Sequence, residues 1–153
     1  MKRILSFLAV LAIVAPAWLV YRWNDRPSLD PYRTYFLASA PAETRGLRVT
    51  FLGVSTLLFD DGETALLIDG FFSRPGVLRS LAARIEPDVD RVQSSLDRAA
   101  IDRLAAVVVV HSHYDHAMDS PLVAERTGAV VVGSESTANI ARGWGLTAER
   151  IRI

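Results

Sequence analysis

A chain of 153 residues has room for one domain at most. Lys+Arg and Asp+Glu both number 17, so the net charge is zero; no basic excess points to nucleic acid and no acidic tail is present. Cysteine is absent, which excludes disulfides, thiolate metal sites and a cysteine nucleophile.

Lys2 and Arg3 open the chain with positive charge, and the 18 residues Ile4–Tyr21 carry none. Two readings meet this pattern. A secretory signal requires a basic start, a short apolar core and small residues before the cut, supplied by Lys2-Arg3, Ile4–Val14 and Ala15-Pro16-Ala17. A membrane anchor requires about 18–20 apolar residues. Ile4–Tyr21 reaches that length, and Trp18, Tyr21 and Trp23 suit the membrane interface. Pro16 is tolerated in such a helix. Residues 1–23 are therefore expected to be a signal peptide or a membrane anchor, the anchor being preferred, with residues 4–21 in the membrane. Both readings put the rest of the chain on the extracytoplasmic side, anchored to the inner membrane or exported to the periplasm.

Residues 24–45 hold Pro27, Pro31 and Pro41, lack periodicity and read as a spacer. Tyr32, Tyr35, Phe36 and Leu37 within it can pack on the domain or on the lipid surface, the domain being preferred. That domain is expected over residues 46–153. Leu47–Leu52 alternates as a half-buried strand does, Ser55–Phe59 is a second strand, and Thr64–Ile68 a third. Asp60-Asp61-Gly62-Glu63 supplies a hairpin turn between the last two.

The period then changes. Val77, Leu78, Leu81 and Ile85 recur at helical spacing up to Pro87. Ser94 or Ser95 is expected to cap a helix reaching Leu104, with Leu96, Ala100 and Leu104 along one face. Ala105–Val110 is a continuous apolar run, predicting a strand buried on both faces. Ser120-Pro121 predicts a helix start, with Leu122–Thr127 helical and Gly128 as its stop. Ala129–Val132 is another strand, Ser134 caps Glu135–Arg142, Gly143 ends that helix, and Arg150–Ile153 begins a further strand. Strands followed by βα units define an α/β (α+β) class, part of a layered sandwich.

All three histidines fall in the run His111-Ser112-His113-Tyr114-Asp115-His116, directly after Val107–Val110. Neutral imidazoles and carboxylates are ligands for a zinc-like ion, and iron or manganese accept the same donors. Two histidines one residue apart reach a single ion, and Asp115-His116 can face a second beside it. Asp115 is also a candidate base that orients the attacking water. Three unrelated histidines in a surface loop are a poor alternative, given their confinement to six residues after an apolar strand.

This run resembles the signature of the metallo-β-lactamase superfamily. The resemblance extends upstream through Phe51-Leu52-Gly53-x-Ser55-Thr56-x-Leu58 and Leu66-Leu67-Ile68-Asp69-Gly70 to the opening strands of that fold. It covers residues 46–153 and is closest to the lactonase-like and phosphodiesterase-like branch. There a histidine often follows the glycine, a place held here by Val54.

The resemblance implies the amino-terminal half of an αββα sandwich and a dinuclear, usually zinc, hydrolase acting on an ester, lactone or phosphodiester. It implies that His111 and His113 bind the first ion, Asp115 and His116 the second, and that Asp69 holds a ligand by hydrogen bonding. The family pattern also takes a third histidine, a bridging aspartate and a last histidine from later loops. No histidine follows His116, and Asp119 is the last aspartate. A truncated chain is therefore expected. Its partners would be a small-molecule substrate, the membrane and a chain completing the fold. The alternative is a non-catalytic metal-binding fragment tethered to the membrane.

Overall fold

Leu, Ala and Val dominate the first segment, and no charged residue falls between Arg3 and Arg22, so residues Lys2–Asn24 form one α-helix, α1. The computed structural model describes residues 2–25, 27–35 and 46–153. The chain divides into two units, residues 1–42 and 43–153. At 23 residues α1 is about 35 Å long, against roughly 30 Å for a hydrocarbon core. It is long and apolar enough to cross a membrane. Within the predicted spacer, Asp30–Tyr35 forms a short 3-10 helix. Arg33 and Ser28 both bond the Asp30 carboxylate there and hold it below its ordinary pKa. Arg26 and residues 36–45, which include Phe36 and Leu37, lie outside the described residues.

The second unit is a six-stranded sheet with helices on one side. Its strands are β1 (Arg48–Gly53), β2 (Thr56–Asp60), β3 (Ala65–Ile68), β4 (Ala106–Val108), β5 (Val130–Val132) and β6 (Ile151–Arg152). They lie side by side in chain order. The first three pair antiparallel and the last four parallel. Two of the helices are α2 (Val77–Ala82) and α3 (Val89–Arg98), between β3 and β4. A single turn, α4 (Tyr114–Ala117), and α5 (Ser120–Thr127) link β4 to β5, and α6 (Glu135–Trp144) precedes β6.

Register explains the core. Leu58, Leu67, Val107, Val131 and Ile151 pair in succession across five strands, so their side chains form one row on one face. That row is buried with Val92 and Leu96 of α3, Leu122 and Val123 of α5, and Ala138 and Ala141 of α6. Leu67 and Val107 are both 0% exposed. The mixed α/β sheet with helices on one face has the arrangement expected of half an αββα sandwich.

Several expected boundaries move. The run Ala105–Val110 forms ladder only over Ala106–Val108 and is buried on one face, not two; Val110 is exposed, because no described element covers the second face. Asp88, not Ser94 or Ser95, caps α3 by accepting from Arg91 N. Both serines instead donate to Arg91 O from within the helix. The helix stops at Arg98, where Ala100 takes a left-handed φ of 52°. In α5 Ser120 is helical and Asp119 precedes it. α6 continues past Gly143 to Trp144 and ends on Gly145, whose φ of 108° suits the terminating turn. The apolar positions of α2 are not buried at all.

Candidate metal centre

β1 and β3 run in the same direction, both antiparallel to β2, and β4 runs parallel to β3. The β1–β2 turn, the end of β3 and the end of β4 therefore meet at one edge of the sheet. Ser55, Asp69 and the histidine run come together there. The run is not wholly a loop: His113 is extended, and its carbonyl accepts from His116 N and Ala117 N to open α4. This one turn swings Asp115 and His116 back over the strand ends.

Donor atoms of His111, His113 and Asp115 all lie within 4.8 Å of one another. A tetrahedral ion spaces such donors by roughly 3.4 Å, so a modest closure of side chains brings them onto one centre. Both histidines are exposed and Asp115 is half-buried, so the group opens to solvent. The structure thus groups Asp115 with His111 and His113. The Asp115 carboxylate is also 3.7 Å from His116 Nε2 and stands between the two sets. The His111 ring lies 3.9 Å from that of His116 and 4.6 Å from that of His113, centre to centre.

His116 is held from behind. Its Nδ1 is 2.7 Å from Asp69 Oδ2 and 3.3 Å from Ser55 Oγ. With the carboxylate accepting in this bond, Nδ1 is the donor and the Nε2 lone pair points away from Asp69. Asp69 is itself 0% exposed and accepts from Val110 N at 2.9 Å. Its φ of 60° is left-handed, a conformation aspartate tolerates better than most residues. This is the geometry by which a carboxylate fixes the tautomer and direction of a ligating histidine. Two imidazoles, an oriented third and a carboxylate suit a zinc-class ion.

Three further residues at or beside the site were not site candidates on sequence alone. Ser120 Oγ donates to both the Asp69 and His116 carbonyl oxygens, tying the end of β3 to α4. Asp119 is fully buried and accepts from Phe72 N at 2.7 Å, Ser73 N at 2.6 Å and Ser73 Oγ at 2.7 Å. Burial pushes its carboxyl above the ordinary value, outweighing the hydrogen bonds from Ser73 and Phe72 that act the other way. Ser55 rides on a turn in which Val54, a β-branched residue, holds a φ of 56°. The signal that was available is local: Asp119 and Ser120 stand beside a proline, which reads as a helix start and hides their long-range role.

Residues 49–152 match the family model described as the metallo-beta-lactamase superfamily, and the chain belongs to that superfamily. Among similar curated proteins, one from Heliobacterium modesticaldum, named a UPF0173 metal-dependent hydrolase, is 31% identical over 107 residues; the match covers 70% of this chain and 38% of that protein. Proteins of the same name from Christiangramia forsetii and Rubrobacter xylanophilus are each 28% identical. Those matches cover 61% and 66% of this chain and 34% and 36% of theirs. The chain spans about a third of the length of these curated relatives.

Proposed function

We propose that residues 46–153 supply the amino-terminal half of a metal-dependent hydrolase centre acting on an ester, lactone or phosphodiester. The observation that carries this is the convergence of His111, His113 and Asp115 at a strand edge, with His116 oriented beside them by Asp69. The name of the relatives, metal-dependent hydrolase, supports the same reading.

In it, His111 and His113 would hold one ion and His116 a second, and Asp115, which lies within reach of both sets, would ligate the second beside His116, both ions being zinc, with iron or manganese as chemically admissible substitutes. Such ions, when bound, polarise a carbonyl or phosphoryl oxygen and ease deprotonation of water. Asp69 keeps the proton on His116 Nδ1, so that Nε2 remains a donor. Asp115, placed between His111, His113 and His116, orients the attacking water and takes its proton. The exposed face of His111 and His113 leaves a small-molecule substrate room to approach. Nucleic acid is not expected there, since the chain carries no net positive charge. The helix α1 is read as a membrane anchor or signal, with Lys2 and Arg3 favouring an extracytoplasmic domain.

A second reading is favoured by the sheet face that no described element covers. Val49, Phe51 and Leu66 are exposed on the side away from the helices, as they would be in a non-catalytic or partner-completed metal-binding fragment.

Metal analysis of the purified chain tests both. Near-stoichiometric zinc is expected, with at least a hundredfold loss of affinity when His111 and His113 are both replaced by alanine. Retained zinc in that double variant refutes the ligand assignment. Zinc binding without chelator-sensitive hydrolysis of a generic ester or phosphodiester selects the second reading.

A further inference from the structure

The turn that carries Ser55 holds an unfavourable backbone. Gly53 and Val54 both take a left-handed φ, 98° and 56°. Glycine does so freely, but for a β-branched residue it is an outlier that the surroundings must impose. Such outliers concentrate where a site needs a side chain aimed. The imposing contacts come from the segment after β3. The β1–β2 register shifts between Phe51 and Gly53, and the carbonyl of Leu52, which the ladder skips, accepts from Arg74 Nη2 at 2.6 Å. The guanidinium lies so close over Gly53 that a Cβ at that position would collide with it. Arg74 itself holds a left-handed φ of 43° to reach there. On the other side of the turn, the buried Thr56 hydroxyl accepts from Phe71 N at 3.0 Å. Ser55 thus sits between two clamps, both supplied by residues just past Asp69.

We propose that Ser55 is a positioning residue for His116, and that Arg74 acts through it by bracing the turn. His116 Nδ1 meets Asp69 Oδ2 at 2.7 Å and Ser55 Oγ at 3.3 Å. With the carboxylate taking the proton in the shorter bond, the hydroxyl serves as a second acceptor for the same N–H. A single acceptor leaves the ring free to swing about the line from Nδ1 to Oδ2. A second acceptor off that line stops the swing and fixes where Nε2 points. Phe71 and Arg74 tie the two acceptors into one piece, because the segment that follows Asp69 also holds the Ser55 turn. The consequence for metal binding rests on reading His116 as a ligand, whereas the positioning itself is measured in the metal-free chain.

The full-length chain, solubilised in detergent and labelled with nitrogen-15 at histidine, is followed by NMR at one fixed pH. The Nδ1 proton of His116 is expected to exchange slowly with water. Ser55→Ala should speed that exchange and, in a separate titration with zinc, weaken binding, each by about three- to tenfold. Ser55→Thr, which keeps the hydroxyl, should stay within about twofold of the parent in both. Arg74→Met keeps the side-chain stem without its donors and should reproduce Ser55→Ala. Added to Ser55→Ala it should change nothing further, the mark of two residues acting in series. Urea midpoints show whether each variant folds, and Arg74→Gln repeats the comparison if the methionine variant does not. Unchanged exchange in Ser55→Ala overturns the role of Ser55. No Arg74 effect, or one that persists undiminished in the Ser55→Ala background, overturns the brace. Faster exchange with unaltered zinc affinity overturns the consequence for the metal. A parent that holds no zinc sinks the ligand reading of His116 alone, since the exchange comparison is complete without metal.

Discussion

On the helix side of the sheet, Leu58, Leu67, Val107, Val131 and Ile151 lie in one row across five strands and are sealed from water. On the other side Val49 and Phe51 are 51% and 66% exposed, and Ile68, Val108 and Val132 are only half-buried. The two faces are built from the same kinds of side chain. What separates them is whether α3, α5 and α6 lie over them. An apolar face of this extent on a sheet is the kind of surface proteins cover. The candidate metal-ligand edge belongs to both faces at once, since Asp69 and the histidine run leave the ends of β3 and β4.

The sharpest test of this contrast sets one residue from each face against the other. Leu67→Ala removes a fully buried side chain and should cost about 2–5 kcal/mol. Phe51→Ser, on the open face, should change stability by less than about 0.5 kcal/mol and reduce self-association. Urea unfolding of the detergent-solubilised chain measures both. If Phe51→Ser proves as costly as Leu67→Ala, the open face is covered in solution and the contrast breaks.

The covered side is also held by polar groups, and there the next effect falls. Asp119 accepts three hydrogen bonds from Phe72 and Ser73 and fastens the segment after β3 beneath α5. Asp119→Ala strands those buried donors and should cost about 3 kcal/mol; Asp119→Asn, which keeps an acceptor, should cost less. Its pKa is raised by burial above the ordinary 3.8. The folded chain therefore holds this proton to higher pH than the unfolded chain. The stability it contributes is fully present below 3.8 and is lost as pH rises through the raised value. Asp119→Asn should flatten that slope, as acid-range unfolding curves of the two proteins would reveal.

Local signals made much of this legible. Alternation in Leu47–Leu52 and the Asp-Gly turn place the first three strands within a residue of where they form. The valine run and the histidines point to the candidate centre because period and composition act within a few residues. Asp119 escaped because its partners lie 46 and 47 residues away. The start of α3 escaped because Val92 and Leu96 are its only buried residues, too few to set a period, while Ser94 and Ser95 imitate a cap. Burial of β4 on both faces was expected because an apolar run does not say which neighbour covers it.

The smallest effect concerns how the two faces are chosen in the first place. Leu66 and Leu67 are adjacent in β3, one outward and one inward, so a one-residue slip in the β2–β3 hairpin exchanges them. Asp61 fixes that register. Its Oδ1 accepts from Thr64 N at 2.7 Å and Glu63 N at 2.9 Å, bonds that hold its carboxyl below the ordinary 3.8. A lowered folded value means the contribution is present above 3.8 and lost as pH falls through the folded pKa. Asp61→Ala should therefore be slightly less stable than the parent near neutral pH, with the gap closing in acid once the carboxyl is protonated in both states. Amide exchange at Leu66 and Leu67, followed by NMR across that range, reads the register directly. A gap that widens in acid would mean that the hairpin, and with it the choice of face, is set elsewhere in the strand pair.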